Sequence, residues 1–145
     1  EKYQYKLDWY KRLGEYFKRH FKSSDKLLWL GDLNIAYDDR DVYDPAGLEG
    51  HVCFNKKLSQ VFRQFFDWGF VDLFRKYCNQ GGYYTFWDYR MPGSLERNRG
   101  WRLDYILATP PIADACISCT IDKRPRLLDK PSDHTPVVAE FKKLQ

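Results

Sequence analysis

Four short segments, read in order, constrain this chain more tightly than its composition does. They are Gly31-Asp32-Leu33-Asn34, Tyr84-Thr85-Phe86-Trp87, Gly100-Trp101-Arg102-Leu103-Asp104-Tyr105 and Ser132-Asp133-His134-Thr135-Pro136. Together they supply three carboxylates, a carboxamide, an imidazole and a group of aromatic rings. Any fold for this chain has to leave those groups where they can meet, and strand ends at one edge of an α/β sheet are where ligand sites gather.

The rest of the chain reads as strands with intervening helices. Leu7, Tyr10, Leu13, Phe17 and Phe21 recur at three- and four-residue steps, which predicts an amphipathic helix with Lys and Arg on its outer face. Lys26 to Leu30 reads as a buried strand ending at Gly31, and a polar loop with Pro45, Gly47 and Gly50 runs from about 37 to 55. Leu58, Val61, Phe62, Phe65 and Phe66 predict a second helix that ends near Trp68-Gly69. Beyond it, 83–89, 101–108, 113–120 and 135–141 read as strands, with a basic Gly- and Pro-containing loop over 90–100. The pattern is α/β or α+β with an open sheet.

At 145 residues the chain is one domain or part of a larger one. Its 43% hydrophobic content suffices for a core and excludes a disordered chain. A formal net charge of +4 permits an anionic partner without naming one. Of the four cysteines, Cys116 and Cys119 form a C-x-x-C pair in an extended stretch. Strand alternation there points the two side chains to opposite faces, so the four read as free thiols in a reducing compartment. No apolar run of 18 residues is present, so no membrane is expected and the location reads as cytoplasmic, nucleoid-associated. The chain opens on Glu1-Lys2-Tyr3 with no initiator Met, which reads as an internal starting point.

The chemistry lies in the four segments. Asp32 and Asn34 follow a strand and are two residues apart; in extended backbone they project to one face, where a carboxylate beside a carboxamide can orient water and bond a phosphoryl oxygen. The plainer reading is a strand-end turn in which both bond their own backbone. Asp104 lies within an alternating strand, where a lone charge is costly, so it needs His134 or Arg102 as partner. A histidine held by a carboxylate can donate to a phosphate oxygen. Flat apolar groups such as Phe86 and Trp101 can hold a flipped-out, base-free sugar, or can equally be core. Arg90, Arg97, Arg99 and Arg102 suit a phosphate backbone, or a solvated loop. His20 and His51 read as solvated or structural.

Five ordered strings carry a family likeness: GDLNIA (31–36), DWGFVDLFR (67–75), YTFWDYR (84–90), NRGWRLDYIL (98–107) and KPSDHTPV (130–137). On these, the chain resembles the C-terminal portion of the exonuclease III family of apurinic/apyrimidinic endonucleases, within the endonuclease/exonuclease/phosphatase superfamily. The resemblance implies the C-terminal half of a four-layered α/β sandwich, one sheet with flanking helices, so that 1–145 is part of one domain whose N-terminal half is absent. It implies Mg²⁺- or Mn²⁺-dependent hydrolysis of double-stranded DNA 5′ to abasic sites, with 3′–5′ exonuclease and 3′-phosphatase activity in some members. It implies that Asp32 aligns the water, Asn34 stabilises the transition-state phosphate, and His134 paired with Asp104 contacts the scissile phosphate. Asp133 falls at a metal-site carboxylate. Phe86, Trp101 and Leu103 match the pocket for the abasic deoxyribose, with Arg90 and Arg99 beside it.

The family's principal metal-binding Glu, an Asn and a phosphate-contacting Tyr have no counterpart in this sequence. A single sheet also leaves an inner apolar face bare; on the order of 1,000 Å² of it corresponds to about 25 kcal/mol of burial, more than a typical net stability. The chain alone is therefore expected to need its other half, or another copy, and to turn over slowly if at all. Two readings stand beside this one: another phosphoesterase of the superfamily, and a non-enzymatic nucleic-acid-binding or oligomerising module.

Overall fold

The computed structural model describes residues 1–143. Helix α1 (Lys2–His20) and helix α3 (Lys56–Trp68) pack side by side on one face of a three-stranded antiparallel sheet. Its strands are β1 (Leu28–Asp32), β3 (Asp104–Ala108) and β2 (Val71–Asp72), with β3 in the centre. A short helix α2 (Pro45–Leu48) lies in the 37–55 loop, and α4 (Leu73–Tyr77) follows β2 directly. Helix α5 (Pro110–Ala115) leads into β4 (Cys116–Ile121), which pairs antiparallel with β5 (Val137–Phe141) as a separate two-stranded ladder.

The two long helices form where periodicity predicts them. Leu7 and Tyr10 of α1 meet Leu58, Phe62 and Phe65 of α3 and Tyr105 and Leu107 of β3 in one core. The Asn55 side chain caps α3 by accepting from the Leu58 amide, and Gly69 ends it at φ 139°, a conformation open to glycine. A second core joins Ile106 and Ala108 to α4, α5 and the β4–β5 ladder. The central strand is thus buried on both faces, which is why 105–108 are all apolar.

Several expectations change. Strand β1 is not buried: Leu28 and Leu30 are 46% and 59% exposed. They pair with Ala108 and Ile106 and share that face of the sheet, while Trp29 turns to the helical core. Residues 83–89 form no ladder. Phe86 makes only single bridges to Trp101 and His134, and the buried Thr85 hydroxyl accepts from the Leu103 and Asp104 amides at 2.9 and 3.1 Å. Strand pairing of 101–108 starts only at Asp104, and α5 takes the first residues of the stretch read as a strand over 113–120. Cys116 and Cys119 do not face opposite ways. A register irregularity between Cys116 and Ser118 turns both into the second core, where burial pushes the Cys119 thiol up to about 12. The four cysteines are free.

Candidate active site

The sheet register places two of the expected residues face to face. Asp32, the last residue of β1, is the cross-strand partner of Asp104, the first of β3. Like charges directly opposite each other destabilise a sheet, so this pairing needs a compensating cation or donor. The His134 ring lies between them. Its Nδ1 is 2.7 Å from Asp104 Oδ2, and its Nε2 is 3.8 Å from Asp32 Oδ2. The short bond to Asp104 raises the His134 pKa above its ordinary value, against a smaller lowering by desolvation. Nδ1 is committed to Asp104, which leaves Nε2 as the ring atom free to face a ligand.

Local structure fixes each group. The Asp104 amide is held by the Thr85 hydroxyl. The Ser132 hydroxyl accepts from the His134 amide at 3.1 Å, and the next residue is anchored through Thr135 N–H to Thr85 O at 2.8 Å. The buried Thr85 thus positions both members of the pair.

Asn34 does not continue the strand. It adopts φ 51°, and its amide donates to Asp32 Oδ1 at 2.9 Å, the Asx-type turn that was the plainer reading. The turn does not remove Asn34 from the site: it lines the same cleft as His134, and borders a shallower depression with Asp32. Lys6 of α1 braces it. The ammonium donates to the carbonyls of Asn34 and Val52 and lies 3.8 Å from Cys53 Sγ, and burial lowers its pKa.

The cleft beside His134 has a volume of about 320 Å³. Phe86, Trp101 and Leu103 line it as expected, and so do Arg90 and Arg99. Phe86 lies 5.0 Å from the His134 ring, centroid to centroid, which joins the apolar wall to the polar group. Tyr43, Leu48, Met91, His51, Cys53 and Asp88 complete the walls. His51, read from the sequence as solvated or structural, is exposed and lies 4.8 Å from the Trp101 ring, and its Nδ1 accepts from the Cys53 amide. Partial desolvation of its ring against the cleft wall and the nearby Lys6 charge lower its pKa. Neither His51 nor Lys6 carries a local motif, so only the tertiary fold reveals them.

The basic group divides. Arg102 is 1% exposed and cannot touch a nucleic acid. Its guanidinium bonds Asp41 at 2.7 Å and both carboxylate oxygens of Asp72, and Arg75 reaches Asp41 at 2.6 Å. This buried network ties the 37–55 loop to β2 and α4. Arg97 donates to the carbonyls of Pro92 and Gly93 and shapes its own loop. Arg90 is held by Asp88, and Arg99 is exposed at the mouth of the cleft.

Asp32, Asp104 and His134 bring one ligand atom each within 4.8 Å of one another, the group among the described residues able to hold a metal ion. Two opposed carboxylates suit a hard divalent cation, which takes oxygen donors. Asp133 is not part of that group; its carbonyl accepts from the Trp87 amide at 3.0 Å, and its negative charge adds to the raising of the His134 pKa. The arrangement can deliver a proton or hydrogen bond from Nε2 to an anionic oxygen while a carboxylate and a carboxamide stand alongside.

Comparison with known proteins gives a consistent set. The model of the Endonuclease/Exonuclease/phosphatase family matches residues 1–134. Exodeoxyribonuclease III of Haemophilus influenzae is 32% identical over 150 residues, covering 97% of this chain and 55% of that protein. An AP endonuclease from Archaeoglobus fulgidus superposes with a TM-score of 0.95 at 45% identity, over 99% of this chain and 56% of that one. The 3′ phosphatase NExo from Neisseria, bound to a product DNA hairpin, superposes at 0.90 with 35% identity, over 99% and 55%. The chain spans about half the length of each of these three proteins. No helix of the described residues is long and apolar enough to cross a membrane.

Proposed function

The chain belongs to the endonuclease/exonuclease/phosphatase family, and from that premise we propose that it is the C-terminal part of a DNA-repair phosphodiesterase domain that hydrolyses the backbone 5′ to abasic sites. The observation that carries this reading is the imidazole set between two opposed aspartates at the mouth of an aromatic cleft. The substrate in this proposal is double-stranded DNA with an abasic or 3′-blocked site, and the proposed location is the cytoplasm, with the nucleoid. Removal of 3′ nucleotides and 3′ phosphates at the same site belongs to this proposal.

Asp32 aligns the attacking water, and Asn34, held in its turn by Lys6, bonds the phosphoryl oxygen as charge grows on it. His134 donates from Nε2 to a non-bridging oxygen, and Asp104 keeps its tautomer and stabilises the charged ring. Phe86, Trp101 and Leu103 take the base-free sugar against their flat surfaces. Arg90 and Arg99 hold flanking phosphates. Asp32 and Asp104 would hold Mg²⁺ or Mn²⁺ through their opposed oxygens, and the family likeness adds Asp133, whose side chain lies outside that group, as a further metal-site carboxylate; the ion would neutralise phosphate charge and polarise the scissile bond.

The face of the sheet that carries Asp32 and Asp104 continues into the exposed Leu28 and Leu30. We propose that the missing half of the domain, or a second copy, covers this strip and so adjoins the site. End-group analysis of the product tests the reaction: hydrolysis 5′ to the abasic site leaves a 3′-hydroxyl, whereas elimination leaves an unsaturated sugar and contradicts the proposal.

A further inference from the structure

We propose that the outer face of α1 is a track for single-stranded nucleic acid, starting beside the catalytic carboxylates and running along the helix. Tyr5, Trp9, Arg12, Tyr16 and Arg19 follow one another at steps of four, three, four and three residues, so they form a single stripe. The buried face of the helix already supplies its core contacts through Leu7 and Tyr10. The rings of the stripe do not serve the core: Tyr5 is 65% exposed, Trp9 41% and Tyr16 50%.

A cation and a further ring stand among them. The Arg12 guanidinium lies 6.0 Å from the Tyr5 ring centroid, and the His20 ring lies 4.4 Å from that of Tyr16. A groove of about 600 Å³ follows, lined by Lys11, Arg12, Tyr16, Arg19 and His20, with Glu15 and with Gln64 of α3. At the other end Tyr5 and Trp9 border a depression of about 310 Å³ together with Asp32 and Asn34. The stripe joins the two concavities, one flanking it toward Gln64 of α3 and the other toward Asp32 and Asn34, and from Tyr5 to His20 the helix spans about 22 Å at the helical rise. The acids of the helix's solvent side are engaged locally: Asp8 accepts from Gln4 at 3.0 Å and Glu15 pairs with Lys18 at 3.3 Å.

Charge selects a polyanion, and exposed rings select its form. An unpaired strand offers base faces to aromatic side chains, while a duplex keeps its base faces stacked. The position of the track beside a reacting phosphate rests on the phosphodiesterase reading; the binding itself does not.

The test is fluorescence anisotropy with the complete protein in EDTA, so that no strand is cut. The probes are a labelled oligothymidylate of about 12 nucleotides, within the usual site-size range, and a blunt duplex of the same length. Trp9→Ala with Tyr16→Ala is expected to weaken oligothymidylate binding roughly tenfold or more and to leave duplex binding unchanged. Arg12→Glu with Arg19→Glu is expected to lower the salt slope for the single strand by about 1.4. Tyr16→Phe keeps the ring and is expected to bind normally, which separates stacking from a general disturbance of the helix. Equal binding by wild type and the aromatic variant, or equal losses on both probes, overturns the proposal and leaves the face to an acidic protein partner. Single-strand binding without metal-dependent cleavage by the wild type would sustain the track and sink the phosphodiesterase reading alone.

Discussion

His134 Nδ1 sits 2.7 Å from Asp104 Oδ2, and that one contact orients the imidazole toward Asp32 and sets its charge. Because the folded-state pKa of His134 is raised, the stability it contributes is fully present below the ordinary value near 6.5 and is lost as pH rises through the raised value. Donation from Nε2–H follows the same window. Asp104→Asn is expected to move the His134 titration, followed by NMR of the ring, to lower pH. It is also expected to cut turnover roughly a hundredfold or more at neutral pH. An unchanged titration would remove Asp104 from the account.

The Arg102 network makes a different prediction from the one its sequence neighbours suggest. Arg102→Leu takes the guanidinium from Asp72 and leaves the buried Asp41 with Arg75 alone, and is expected to cost about 3–5 kcal/mol in urea unfolding. Arg99→Ala, at the exposed mouth of the cleft, is expected to leave stability within about 0.5 kcal/mol and to reduce the salt slope of DNA binding by about one. A stable Arg102→Leu protein with weakened DNA binding would restore Arg102 to the phosphate-tracking group.

The Gly100 position tests how tightly the cleft wall is built. A Cβ there would lie 2.6 Å from Tyr84 Cδ2 and 2.7 Å from Trp87 Nε1, too close for either ring. Trp87 cannot yield easily, because its Nε1 donates to Asn98 Oδ1 at 3.0 Å and its carbonyl accepts from Arg126. Gly100→Ala is expected to destabilise by about 1–3 kcal/mol and to loosen Trp101. Trp101→Ala removes the wall outright and is expected to raise KM for an abasic duplex. Normal incision by that variant would contradict the pocket assignment.

Leu28 and Leu30 predict the behaviour of the 145-residue chain on its own. With that strip bare, the isolated chain is expected to self-associate in sedimentation or to melt without a cooperative transition. A monodisperse monomer with a sharp melt would show that the strip needs no cover.

Much of the site was legible before the structure because its polar residues break strong local patterns. Asp32 and His134 stand beside strand ends, Asp104 is a lone charge in a stretch of strand alternation, and helices α1 and α3 announce themselves by period. What was hidden depends on contacts distant in sequence. The bulge between Cys116 and Ser118 reverses the expected facing of a thiol, yet no residue type there signals it. Arg102 looked like its exposed neighbours, and only the burial of Asp41 and Asp72 around it reveals a structural ion network. Residues 84–87 have strand composition, but their backbone is spent on single bridges and on Thr85, so they cross the site instead of extending a sheet. His51 reaches the cleft from a loop, and Lys6 reaches the Asn34 carbonyl from a helix face, both of which periodicity treats as surface.

The most direct measurement is incision of a duplex with one abasic site by the complete protein, in Mg²⁺ and in EDTA, beside Asp32→Ala and His134→Ala. The account predicts Mg²⁺-dependent cleavage 5′ to the site that both substitutions abolish while binding to the duplex persists. Cleavage that survives in both variants, or that proceeds equally in EDTA, would contradict it.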